Sequence, residues 1–262
     1  MENSARYGKE EFVVVSGARK ITVRLHTPLA LASSPGLLMT FATDRATALT
    51  GEPYGLTARA FVARGHRVLS FDLPHHGERI DAFGEGITGF RNAFVAGSDP
   101  FAAFVEDGRA VIDAAVARGV AAEGRIAVCG TSRGGYMALR LLAADTRISA
   151  GAGFAPVTDW RDLREFSADR DREDVARLAL SHHADALAGT AVYMAIGNRD
   201  ERVNTTRCCR LFVDIMDASR RKGQDGGDTA FFCTTDEGHT CSDAWYARGS
   251  EFLLGYVEAN TA

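Results

Sequence analysis

Apolar residues recur along this chain in short solid runs that alternate with longer runs of helical spacing. "EFVVVS" and "KITVRLHTP", separated by "GAR", predict an antiparallel hairpin. "GLLMTFA" and "HRVLSFDLP" read as buried strands, and between them "PYGLTARAFVARG" reads as a helix closed by Gly65. Residues 101–118 place Phe104, Val105, Val111, Ile112, Ala115 and Val116 on one helical face. Next come a strand, "RIAVCG", a helix, "YMALRLLAA", and two further strands, "ISAGAGFAP" and "AVYMAIGN". A helix over "RCCRLFVDIMDASRRK", a strand over "TAFFCTT" and a helix over "DAWYARGSEFLLGYVEA" complete the pattern. Such alternation predicts an α/β fold: a mostly parallel eight-stranded sheet flanked by helices, with an antiparallel start. No repeat or linker interrupts it, so residues 1–262 are expected to form one domain.

Two stretches break the alternation. Residues 75–100 are rich in Gly and Phe; residues 157–190 are charged and helix-prone. Both leave the carboxyl end of a predicted strand, where open α/β sheets bind their ligands. The second is expected to form a small helical cap, whose shortening would change substrate range more than stability.

Composition narrows the function. Hydrophobic residues make up 46% of the chain and charged residues 24%, enough apolar material for a globular core. Net charge is −4 and no long basic run occurs, which argues against a nucleic-acid partner or an anionic membrane surface. The opening "MENSARYGKEEF" is polar, and no apolar run reaches membrane-spanning length. Five cysteines without a regular spacing fit reduced thiols and a cytoplasmic location.

The chemistry enters at "CGTSRGG", residues 129–135. A strand leads in, a helix leads out, and glycines flank Ser132 on both sides, the pattern Gly-x-Ser-x-Gly. An ordinary strand-to-helix turn capped by serine would also fit the motif alone. A serine hydroxyl needs a base, and the base an orienting acid. Asp200 follows the strand of "AVYMAIGNR" and His239 follows that of "TAFFCTT", so all three are expected at one edge of the sheet. Glu201 and Asp236 are the competing acids; Asp200 sits where the strand ends and the chain must turn.

"GTSRGGYMAL", "GNRDERV", "EGH" and "DLPHHGER" resemble the α/β-hydrolases, in particular their esterase, dienelactone-hydrolase and prolyl-oligopeptidase-like branch. The order of elements matches over nearly the whole chain. The resemblance implies the α/β-hydrolase fold, with Ser132 as nucleophile, Asp200 as acid and His239 as base. It also implies an oxyanion hole built from the backbone N–H of Arg133 and a second donor after the third strand. Many members carry His-Gly there; this chain has "LLMTFATD", so the second donor is Phe41 or Ala42. A backbone donor needs no particular side chain, although Phe41 would reshape the pocket wall if its ring pointed inward.

Further residues border the expected site. His75, His76 and Trp160 are candidates for substrate binding. Neither the pair His75 and His76 nor the pair His182 and His183 has Cys or carboxylate at ligand spacing, so no metal is expected. Phe83, Phe90 and Phe94 fit an acyl-binding lid or the core equally. The Arg133 guanidinium is expected to meet an acidic neighbour rather than an anionic substrate. The reading is a serine hydrolase that cleaves a carboxylic ester through an acyl-enzyme, without a cofactor. Peptide, thioester or lactone cleavage on the same residues, or an inactive binding protein of the same fold, are the alternatives. Oligomeric state is not legible from the sequence.

Overall fold

The computed structural model describes residues 7–224, 228–239 and 241–259. Its centre is a solid apolar strand, β5 (Ile126–Thr131), with every residue buried. Burial on both faces is what a continuous apolar run implies, and it needs covering layers on both sides. The other strands are β1 (Tyr7–Ser16), β2 (Arg19–Pro28), β3 (Leu37–Phe41), β4 (Arg67–Phe71), β6 (Ile148–Phe154), β7 (Ala191–Arg199) and β8 (Thr229–Glu237). They form one eight-stranded sheet in the order β1-β2-β4-β3-β5-β6-β7-β8. Strands β4 to β8 and β3 run parallel, with β3 paired to β5 from Leu37↔Ile126 to Phe41↔Gly130. The β1–β2 hairpin is antiparallel and joins β4 antiparallel, as the sequence predicts. At the β1 edge the apolar run is split: Val14 is buried, while Val13 and Val15 face solvent.

Nine α-helices are described: α1 (Arg45–Thr50), α2 (Leu56–Ala63), α3 (Gly86–Val95), α4 (Pro100–Ala117), α5 (Arg133–Ala144), α6 (Glu173–Ala176), α7 (Ala184–Leu187), α8 (Thr205–Arg221) and α9 (Asp243–Ala259). Helices α2 and α9 pack together against the sheet, whereas α4 packs on α5 and α7 links α5 to α8. No described helix is long and apolar enough to cross a membrane.

Two helices escape the periodicity. Helix α1 is six residues long, too short for a pattern, and rests on its cap: Asp44 accepts from the amides of Ala46 (2.9 Å) and Thr47 (3.0 Å). Helix α3 lies inside the 75–100 excursion. A buried ion pair fixes the base of that excursion to the loop after β3. Asp72 accepts from Arg45 Nη1 (2.6 Å) and from the amides of Arg45 (2.8 Å) and Glu78 (2.9 Å).

The 157–190 segment does not have the character of a detached cap. It is a string of short helical turns whose Trp160, Leu163, Phe166, Val175, Leu180 and Leu187 join the same buried cluster as the sheet. Most of its charges occupy the outer positions of turns too short for a regular amphipathic pattern, and the buried Asp159 and Asp169 are paired with arginines, so its composition disguises a core segment.

Candidate active site

Ser132 ends the central strand at φ 57° and ψ −118°, a conformation that costs a non-glycine residue on the order of 1–3 kcal/mol. Three backbone bonds hold it there. Its N–H donates to Phe154 O (2.9 Å), and its carbonyl accepts from Tyr136 N (3.1 Å) and Val157 N (3.0 Å). The flanking glycines are steric requirements. A Cβ on Gly130 would lie 2.2 Å from Gly134 O, and one on Gly134 would lie 2.2 Å from Phe41 O. Close approach of helix to strand is therefore what turns the serine outward.

His239 follows β8 and reaches Ser132 Oγ through Nε2 at 3.0 Å. Its Nδ1 lies 2.7 Å from Asp200 Oδ2. A carboxylate accepts, so Nδ1 carries the proton and Nε2 turns its lone pair toward the serine hydroxyl. Asp200 is itself pinned, its other oxygen accepting from the amides of Arg202 (2.9 Å) and Val203 (3.1 Å). The side chain of Asp200 is fully buried, while that of His239 is 28% exposed, so the carboxylate is shielded and the imidazole open to the cleft. Asp236 turns elsewhere and accepts from Thr234 Oγ1 (2.5 Å); Glu201 is exposed. The three residues singled out in the sequence thus meet in one hydrogen-bonded line.

The cleft above them encloses about 400 Å³. Pro53 and Tyr54 from the loop before α2, Ile87 of α3, Arg133, Arg202 and Cys241 border it. Among these, sequence reasoning singled out only Arg133. The signal available for Arg202 was its position in the loop beyond the carboxyl end of β7; Pro53 and Tyr54 fall in the run that the sequence predicts as a helix, which begins only at Leu56. Arg202 is held by Glu165 of the 157–190 segment through a double contact (3.0 and 2.9 Å). Cys241 is a half-buried thiol, pushed up to about 11 by desolvation first and by the negative charges of Asp200 and Asp236, against the hydrogen bond with Tyr246, which lowers it; the net effect leaves it protonated.

The three substrate-binding candidates, Trp160, His75 and His76, need correction, since none borders the cleft. Trp160 is no pocket residue: it is fully buried among Phe101 (4.8 Å between centroids), Tyr136 (5.2 Å), Phe90 (5.5 Å) and Phe166 (5.5 Å). Phe90, in the same stack, is likewise core. His75 is buried away from the cleft, its Nδ1 3.1 Å from Asp81 and its ring against Phe83 and Phe90. The ring of Phe41 points into the core, edge-on to Phe71 (5.2 Å) and Phe104 (5.1 Å), so it does not reshape the cleft. His76 borders a neighbouring cavity of about 400 Å³ instead of the cleft itself. Among the described residues, no group of three or more His, Cys, Asp or Glu is placed to hold a metal.

Solved structures share this architecture. A Thermus thermophilus protein, TT1662, is 21% identical and superposes with a TM-score of 0.71, covering 97% of this chain and 100% of its own. A cold-adapted esterase from an Arctic intertidal metagenomic library is 17% identical at a TM-score of 0.69, with 98% and 96% covered. The acylaminoacyl peptidase of Pyrococcus horikoshii is 12% identical at 0.72; the match covers 97% of this chain but only 42% of the peptidase. At these identities the likeness is one of fold. No curated protein matches the chain in sequence. The family model of the prolyl oligopeptidase family matches residues 99–259, a span that runs from α4 to α9 and holds Ser132, Asp200 and His239. That match takes in more than half of the chain, which therefore belongs to the prolyl oligopeptidase family within the α/β-hydrolase superfamily.

Proposed function

We propose that this protein is a serine hydrolase that cleaves small carboxylic esters, with Ser132 as nucleophile, His239 as general base and Asp200 as the acid that orients it. The observation that carries the reading is the 3.0 Å approach of His239 Nε2, lone pair forward, to a serine held in a strained outward turn. His239 takes the hydroxyl proton as Ser132 Oγ bonds to the acyl carbon. The carbonyl oxygen becomes an oxyanion and collapses as the alkoxide leaves with the proton held by His239. Water then attacks the acyl-enzyme through the same base and releases the acid.

The oxyanion donors are the N–H of Arg133 and that of Phe41 or Ala42. As the first residue of α5, Arg133 has an N–H without an intrahelical acceptor. The backbone at Phe41 and Ala42 lies directly against Gly134, beside the elbow. A cleft of about 400 Å³ suits a small molecule. The esterase among the similar folds supports the ester reading; the family match and the peptidase favour peptide cleavage as a second one.

A fluorophosphonate probe followed by peptide mapping tests the nucleophile: covalent label on Ser132 is expected. A panel of p-nitrophenyl esters beside a thioester, a lactone and a peptide p-nitroanilide tests the substrate class. Faster turnover of the anilide than of every ester would replace the ester reading with the peptide one.

A further inference from the structure

The two arginines of the cleft differ in their partners. Arg202 is matched by Glu165 through two hydrogen bonds. Arg133 has no such match. Among the described residues no carboxylate pairs with its guanidinium, and its buried Nε lacks any partner. Arg133 is half-buried, and an unpaired charge partly withdrawn from water is costly, so proteins retain one where something else supplies the counter-charge. Burial is indeed the leading influence on this group and lowers its proton affinity, without bringing an arginine near neutrality.

Its surroundings indicate on which side a counter-charge fits. Arg133 stands between the cleft of Ser132 and the neighbouring cavity. The cavity is bordered by Asp44 and Glu85, which repel an anion. His76, also there, supplies no charge of either sign. Its Nδ1 donates to Pro74 O (2.8 Å), and desolvation pulls its pKa down to about 4. On the cleft side no Asp or Glu borders the space, and Tyr54, Ser132, Arg202 and His239 complete the wall. Positive charge is thus left uncompensated on the face of Arg133 that looks toward the nucleophile.

We propose that Arg133 determines specificity by binding a carboxylate carried by the substrate, so that the preferred esters bear an anionic group a few bonds from the scissile carbonyl. The planar fork of a guanidinium matches a carboxylate in two parallel hydrogen bonds. Adjacency to Ser132 in the chain and a cleft of about 400 Å³ limit the substrate to a short one. This inference rests on the ester-hydrolase reading above.

The test compares mono-p-nitrophenyl glutarate with its neutral methyl ester in the wild type, Arg133→Gln and Arg133→Lys. Both substrates use the same oxyanion donors, so damage to those donors cancels in the ratio of their kcat/KM values. The wild-type ratio is expected to favour the anionic ester about tenfold or more, as charge-assisted hydrogen bonds do. Arg133→Gln should bring the ratio to about one or below, mostly through KM, and Arg133→Lys should restore part of it. Free glutarate, but not glutaramide, should inhibit the wild type competitively, which serves if a variant fails to fold. A wild-type preference for the neutral ester, or a ratio unmoved in Arg133→Gln, overturns the role of Arg133 and leaves the hydrolase reading standing. If neither ester is cleaved and Ser132 takes no fluorophosphonate, both fall.

Discussion

The two long excursions from the sheet, residues 75–100 and 157–190, look alike in outline and behave differently in three dimensions. Each follows a strand, β4 or β6, at the edge where the site lies. The first, Gly-rich segment carries Ile87 to the cleft and His76 to the cavity beside it. The second, despite its charge, sinks Trp160 and Phe166 into the core and meets the cleft from behind, through Val157 N–H on the Ser132 carbonyl and Glu165 on Arg202. Cover and core are therefore decided by where the apolar side chains find burial, and net charge along a segment does not report it.

This contrast can be broken or sharpened by mutation, and the reference is a change in neither excursion. Ser132→Ala should keep the thermal midpoint and lose activity on the order of 10⁴-fold or more, read as kcat on a p-nitrophenyl ester. Near-wild-type turnover would remove the nucleophile assignment. Next in size, Asp200→Asn should lose roughly 10³- to 10⁴-fold by presenting His239 in the wrong tautomer. Glu201→Gln and Asp236→Asn should cost little by comparison, since neither carboxylate contacts the imidazole.

Within the excursions the predicted effects separate by kind. Trp160→Ala should destabilise the protein by about 3–5 kcal/mol in denaturant unfolding, the cost of emptying a fully buried aromatic site. If it left stability intact and changed acyl-chain preference, the 157–190 segment would be a cap after all. Ile87→Ala should do the reverse: stability falls modestly, and the kcat/KM ratio between long and short acyl chains shifts several-fold, the scale of a few methylenes in an apolar pocket. The smallest effect is expected from Glu165→Gln. Losing one charge beside Arg202 should raise the affinity of the cleft for small carboxylate inhibitors by a few-fold, measured as Ki, and by less at high salt.

Much of the fold was legible in one dimension. Solid apolar runs such as β5 and helix-spaced runs such as α4 are long enough for periodicity to speak, and the Gly-x-Ser-x-Gly turn announced its own geometry. Asp200 and His239 could be brought together in advance because both follow a predicted strand, which places them at one edge of a parallel sheet. Helix α1 was not legible, since six residues held by Asp44 carry no period. Trp160 was misread because burial in a stretch of short turns leaves no repeating trace.

The sequence by itself determined the order of strands and helices, the elbow and the identity of Ser132, Asp200 and His239 as the residues to watch. These are consequences of local pattern: backbone sterics at glycines, alternation of apolar runs, and the rule that loops after parallel strands share an edge. Only the tertiary structure decided that Phe41 and Trp160 face the core, that Arg202 is paired with Glu165, and that Arg133 has no carboxylate paired with it among the described residues. Each of those depends on which side chain from a distant segment arrives within a few ångströms. Such proximity is set by packing the whole chain at once, and no spacing along it encodes the outcome.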